Sequence, residues 1–260
     1  MPEQWLALLI VGLVAGVASG MFGIGGGVII VPVLTVLMAF DLKEAVGTSL
    51  GALLMPVAIF AVIAYYRAGK LSISTAAWVA FGLIFGATVG AQIALSLDTK
   101  TLQRLYGIFL IYMAWRFAEP RKWLAEARGN GAPKGPDLVE AQVKWYILLI
   151  VGLGAGVLSG MFGIGGGVII VPALVALLNF DQKQAVGTSL AALLLPVSAG
   201  AVVSYYQSGK LNPSVAGLVA LGLVFGAFIG AKIALSLPSQ TVKRLYGIFL
   251  LFVGLRFILF

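Results

Sequence analysis

Long apolar runs separated by short polar breaks dominate the chain. They lie at about 5–40, 45–66, 73–97 and 102–118, and the same spacing returns at about 145–180, 185–206, 213–237 and 242–260. The runs are continuous rather than alternating, so they read as helices in hydrocarbon and not as barrel strands, whose backbone polar groups would have to be satisfied between neighbours. The expected fold class is all-α and integral to a membrane. Most runs have spanning length, but the first of each set is too long. About 36 residues of helix would extend roughly 54 Å against a hydrocarbon core of about 30 Å. Each must be broken or folded back, and GIGGG at Gly23–Gly27 and at Gly163–Gly167 marks the place, because consecutive glycines disfavour a continuous helix.

A shift of 140 residues aligns the chain with itself without gaps. SGMFGIGGGVIIVP occurs at both Ser19–Pro32 and Ser159–Pro172, AVGTSL at Ala45–Leu50 and Ala185–Leu190, and RLYGIFL at Arg104–Leu110 and Arg244–Leu250. The expected organisation is a transmembrane repeat over 1–118, a polar linker over 119–144 and a second repeat over 145–260. If each broken run is a re-entrant hairpin, each copy crosses an odd net number of times and the copies are inverted; if the halves cross, the copies are parallel. Charge counting favours inversion. With inverted copies the linker cations Arg121, Lys122, Arg128, Lys134 and Lys144 share a side with Arg67, Lys70, Lys183, Lys243 and Arg244, facing only Lys43, Lys100, Arg104 and Lys210. That places the linker in the cytoplasm and both termini outside.

Composition narrows the function. Residues are 61% hydrophobic and 10% charged, and the net charge of +8 falls in the breaks between runs, which fits headgroup flanks and not nucleic-acid binding. The chain has no cysteine and no histidine, which removes disulfides, thiolate chemistry and the commonest general base and metal ligand. No cofactor or metal site and no enzymatic activity are expected. The first 20 residues lack a basic start and run on past any cleavage point, so they read as mature protein.

The glycine breaks are the leading candidate site. A helix interrupted inside a bundle leaves N–H groups unpaired at the start of its second half, and these with the helix dipole suit an anion. Gly23, Gly25, Gly26 and Gly27 and their copies Gly163, Gly165, Gly166 and Gly167 are therefore expected to bind substrate; the alternative is that they only permit close packing. Thr48, Ser49, Thr188 and Ser189 carry hydroxyls that could donate to the same oxyanion or instead satisfy backbone groups. Gln92 and its counterpart Lys232 stand within an apolar run; Lys232 is either an anion ligand or a snorkelling side chain. Gly82, Gly86 and Gly90, with Gly222, Gly226 and Gly230, recur every four residues and read as packing faces. Tyr65, Tyr66, Tyr205, Tyr206, Trp5, Trp115 and Trp145 read as interface anchors. Asp41, Glu44, Asp98 and Asp181 fall at run ends, so no buried carboxylate identifies a coupling site.

With its duplicated G-x-GGG-x-x-x-x-P at Gly23–Pro32 and Gly163–Pro172 and the AVGTSL that follows each, the chain resembles the sulfite exporter TauE/SafE family, also called the toluene sulfonate uptake permease family. The resemblance covers nearly the whole chain. It implies a multi-pass permease of a prokaryotic cytoplasmic membrane that moves sulfite, a sulfonate or a related organosulfur anion, coupled to a proton or sodium gradient. The reading that unites residues and resemblance is a secondary transporter with one central site between the repeats, working by alternating access. Its rivals are a passive anion channel, a non-transporting membrane scaffold and, more distantly, an intramembrane enzyme. Direction of flux and oligomeric state are left open.

Overall fold

The computed structural model describes residues 2–118, 144–236 and 255, and among them it is wholly helical. The helices are α1 (Pro2–Phe22), α2 (Gly27–Val36), α3 (Leu42–Leu54), α4 (Ile59–Arg67), α5 (Ile73–Ser96) and α6 (Thr99–Ala118), then α7 (Trp145–Phe162), α8 (Gly167–Leu178), α9 (Gln182–Leu194), α10 (Ala199–Gln207) and α11 (Pro213–Ser236). The expected linker over 119–144, apart from Lys144, and the last apolar run lie outside the described residues. The chain forms two compact units, one from 1–97 with 140–236, the other from 98–139 with 237–260. In the second unit α6 is the principal described element, and the Asp98 carboxylate accepts the Thr101 N–H at 2.8 Å to cap its start.

Everything that follows belongs to the first unit. Its first run is broken where the glycines require it: α1 ends at Phe22 and α2 begins at Gly27. Between them Gly23, Gly25 and Gly26 adopt φ of 69°, 80° and 83°, the left-handed region that side chains resist. The second copy repeats this with φ of 70°, 80° and 76° at Gly163, Gly165 and Gly166.

The second run is broken as well, which departs from the continuous span its apolar length predicts. α3 meets α4 at 52° and α9 meets α10 at 51°. Pro56 and Pro196 cause this: the residues before them, Met55 and Leu195, are extended at ψ 151° and 153°, and a proline supplies no N–H to continue the ladder. Among the described residues four helices, α1, α5, α7 and α11, are individually long and apolar enough to span a membrane; the count reaches six if each bent pair is one span.

The two copies are interleaved. α1 lies along α11 and α7 along α5, each pair in parallel: Gly12, Gly16 and Gly20 meet the backbone at Val219, Leu223 and Ala227, and Gly152, Gly156 and Gly160 meet it at Val79, Leu83 and Ala87. The expected packing faces are realised from the other side, with Gly82, Gly86 and Gly90 against Leu149, Leu153 and Val157, and Gly222, Gly226 and Gly230 against Leu9, Leu13 and Val17. Small residues allow backbones this close, which matters in lipid, where apolar surface alone does not drive helices together.

Polar contacts pin the ends. Lys43 Nζ donates to the terminal carbonyls of α5, Leu95 O at 3.1 Å and Leu97 O at 2.6 Å, while Lys183 reaches Leu235 O of α11 at 2.9 Å. Each cation meets the negative end of a helix dipole. Lys70 pairs with Asp181 at 3.6 Å and Lys210 with Asp41 at 3.4 Å, so each ion pair joins one copy to the other.

The tyrosine pairs divide. Tyr66 and Tyr206 are exposed, as anchors should be, but Tyr65 and Tyr205 are fully buried and donate to Gly20 O and Gly160 O at 3.0 Å. Adjacent helical positions point about 100° apart, so one tyrosine of each pair faces inward and ties α4 or α10 to the last turn before a break.

The packing yields a direct stability test. A methyl group at Gly20 would collide with the Ala227 carbonyl, whereas one at Gly154 meets nothing within 4 Å. Gly20→Ala should lower stability by about 1–3 kcal/mol through overpacking, and Gly154→Ala should be neutral or slightly stabilising, read as the melting temperature of the detergent-purified protein.

Candidate functional site

Both breaks are buried and face each other. A Cβ at Gly27 would strike Gly163 O, one at Gly167 would strike Gly23 O, and one at Gly25 would stand 3.3 Å from the Gly165 Cα. The glycines of one copy thus leave room for the backbone of the other. Gly23, Gly25 and Gly27 thus come together with Gly163, Gly165 and Gly167, whereas Gly26 and Gly166 face the Leu223 and Leu83 side chains.

Beside them is a small cavity. Its wall is built from matched positions: Ser19 with Ser159, Gly25 with Gly165, Leu50 with Leu190, Leu53 with Leu193 and Val57 with Val197. Ala58 is matched by Ser198, and Leu83 and Ala87 of α5 complete the wall. The proline bends shape it, since Val57, Ala58, Val197 and Ser198 all lie in the α3–α4 and α9–α10 junctions.

The chemistry of this wall is restrained. No charged side chain is among the lining residues, and the polar groups are three serine hydroxyls and glycine backbone. No acceptor among the described residues meets the N–H groups of Gly27 and Val28 at the start of α2, or of Gly167 and Val168 at the start of α8. Two helix N-termini therefore begin at the cavity's glycine edge with donors to spare. Among the described residues no group of three or more metal-ligating side chains occurs.

The hydroxyls of AVGTSL are used elsewhere. Ser49 Oγ donates to Gly163 O at 2.8 Å and Ser189 Oγ donates to Gly23 O at 2.8 Å, both fully buried. Thr48 Oγ1 accepts the Asn212 N–H and Thr188 Oγ1 accepts the Ser72 N–H, each at 3.0 Å, holding the turn before the other copy's long helix. None of the four lines the cavity. Gln92 and Lys232 are also apart from it: both are exposed, and the Lys232 ammonium stands 4.5 Å from the Phe228 ring centre.

Ser19 and Ser159, which do line the cavity, are not among the expected ligands. The signal was present, since they open the duplicated segment and stand one helical turn before Gly23 and Gly163, on the last turns of α1 and α7. Ser198 carries no such mark, because its counterpart is Ala58.

Comparison with known proteins matches the chain to a family. The model of the family described as "Sulfite exporter TauE/SafE" matches residues 8–257. A probable membrane transporter protein of Methanocaldococcus jannaschii is 30% identical over 97% of this chain and 94% of its own length. The probable membrane transporter protein YunE of Bacillus subtilis is 30% identical over 98% and 97%. One of Haemophilus influenzae is 28% identical over 98% of both chains. No solved structure matches. With its interleaved apolar helices and paired breaks around a buried cavity, the chain belongs to the sulfite exporter TauE/SafE family and is a multi-pass membrane transporter.

Proposed function

We propose that this transporter is a secondary carrier of a small anion, an organosulfur oxyanion such as sulfite or a sulfonate, working by alternating access at the cavity beside the two glycine breaks. The observation that carries the reading is the wall itself: five matched pairs of residues, one from each copy, line it, and its Gly25 and Gly165 stand two residues before the helix starts at Gly27 and Gly167. Backbone donors and serine hydroxyls can stabilise negative charge without a fixed cation. The leucines and valines beside them suit the apolar part of a sulfonate. Coupling to a proton or sodium gradient belongs to this reading, as do the assignment of 1–118 and 145–260 to two repeats joined by 119–144 and the binding role of Gly23, Gly25, Gly26, Gly27, Gly163, Gly165, Gly166 and Gly167. The exposed positions of Gln92 and Lys232 argue against a place for them in the site.

Inverted repeats are part of the same proposal, and the polar contacts support it. Lys70, just before α5, pairs with Asp181; two residues on, Lys183 holds the final turn of α11. The beginning of α5 therefore lies beside the end of α11, its counterpart. Lys210, before α11, pairs in turn with Asp41, two residues from the Lys43 that holds the end of α5. The same contacts favour a re-entrant hairpin: α1 packs in parallel with α11, yet the chain leaving α2 returns at Asp41 to the end where α11 begins.

Two experiments test these points. An organosulfur oxyanion that binds the folded protein should raise its melting temperature by several degrees at about 100 times its dissociation constant. The panel should contain sulfite, thiosulfate, sulfate, taurine and short carboxylates at fixed ionic strength. Leu53→Trp, which fills the cavity, should abolish the shift while Lys232→Gln keeps it; stabilisation only by cations or neutral solutes would defeat the anion reading. For topology, the chain has no cysteine, so Lys70→Cys and Lys210→Cys each offer one thiol. A membrane-impermeant maleimide should label them from opposite faces of oriented vesicles; labelling from the same face would require parallel copies.

A further inference from the structure

We infer that Ser49 and Ser189 are positioning residues, each clamping the glycine break of the opposite copy, rather than ligands of the transported anion. The inference rests on the cavity being the transport site. A serine hydroxyl has one proton, and here it is committed: Ser49 Oγ gives it to Gly163 O, 114 residues away in sequence, and Ser189 Oγ gives its own to Gly23 O, 166 residues away. Both side chains have no exposed surface and neither reaches the cavity wall.

The accepting carbonyls explain why a clamp is needed. The Gly163 N–H still closes the last turn of α7 on Ser159 O at 2.7 Å, but the left-handed φ of 70° turns the chain out of the helix there. Its carbonyl is left inside the protein without a place in the helical ladder, at a cost of about 1–3 kcal/mol if unmet. The Ser49 hydroxyl meets it. Because the peptide group is planar, fixing the direction of the Gly163 carbonyl also fixes the Ile164 N–H on the same plane, and with it the path of the chain into Gly165 and α8. Gly165 is a wall residue and α8 begins two residues later. The same chain of constraint runs from Ser189 through Gly23 to Gly25 and α2.

The clamp is also tied to the rim. Residue by residue α3 carries Asp41 paired to Lys210, Gly47 packed on Lys210 O, Thr48 receiving the Asn212 N–H, then Ser49 on the break. One short helix thus grips the other copy both at its α10–α11 turn and at its break.

Hydrogen–deuterium exchange on the full-length protein in detergent tests this without needing a substrate. Ser49→Ala should speed exchange of the Ile169 and Ile170 amides, which bond to Gly166 O after the break, about tenfold, while those of Ile29 and Ile30, bonded to Gly26 O, change less than about twofold; Ser189→Ala should do the reverse. Ser49→Cys, a weaker donor of similar size, should fall between, and it serves as the probe if the alanine variant does not fold. Unchanged exchange at Ile169 and Ile170 in these variants overturns the inference. So does loss of sulfite- or taurine-induced stabilisation with exchange unchanged, which would make Ser49 a ligand. If none of the anions stabilises even the unmodified protein but the crossed exchange pattern appears, the clamp stands and the transport-site reading falls.

Discussion

The structure depends on one constraint: a backbone carbonyl or N–H buried away from water must find a partner. An ordinary spanning helix meets it internally. A helix broken inside the protein does not, and this chain contains two such breaks side by side. The first carbonyl of each break is met through the other copy, by the Ser49 hydroxyl on Gly163 O and the Ser189 hydroxyl on Gly23 O. Neither half can therefore settle its own break. The tight approach of Gly27 to Gly163 O and of Gly167 to Gly23 O has the same consequence, since each glycine is needed by a backbone 136 to 144 residues away in the sequence.

That mutual dependence explains the interleaving. If the breaks must meet, the helices leading to them must run beside the other copy's helices, and α1 along α11 and α7 along α5 do so. Lipid gives little apolar driving force for such pairs, so close contact has to supply the association. Glycines every four residues on both partners give that contact along most of each helix. The tyrosines Tyr65 and Tyr205 add a bond at Gly20 O and Gly160 O, just where the ladder is about to end. Packing, breaks and capping are parts of one arrangement.

The sequence showed this arrangement unevenly. Run lengths alone required the first break, because a helix of about 36 residues cannot fit the bilayer, and duplication located it at the glycines. The four-residue glycine spacing was read as packing and packs. The partner was not legible, because spacing says which face is narrow and not which helix it meets. The bend at Pro56 and Pro196 was under-read: a run of spanning length hides a break that does not alter its length. Thr48 and Ser49 invited a ligand role because polar groups in apolar runs are costly and so draw attention. What offsets that cost here is backbone from the far copy, contacts at separations of 114 and 164 residues that no local pattern reports.

Duplication gives the cavity its character. Most of the wall is made of like residues from the two copies, so the hydroxyls of Ser19 and Ser159 form a matched pair. Ser198 opposite Ala58 is the single mismatch among the matched positions of the wall, and its hydroxyl is within 3.4 Å of Leu50 O. The two ends of the arrangement are joined across the copies by two partly exposed ion pairs, Lys70 with Asp181 and Lys210 with Asp41. Contacts of that kind contribute at most about 1 kcal/mol. Buried hydroxyl-to-carbonyl bonds at the breaks and partly exposed pairs at the ends therefore distribute stability unevenly, with the firmer hold at the centre.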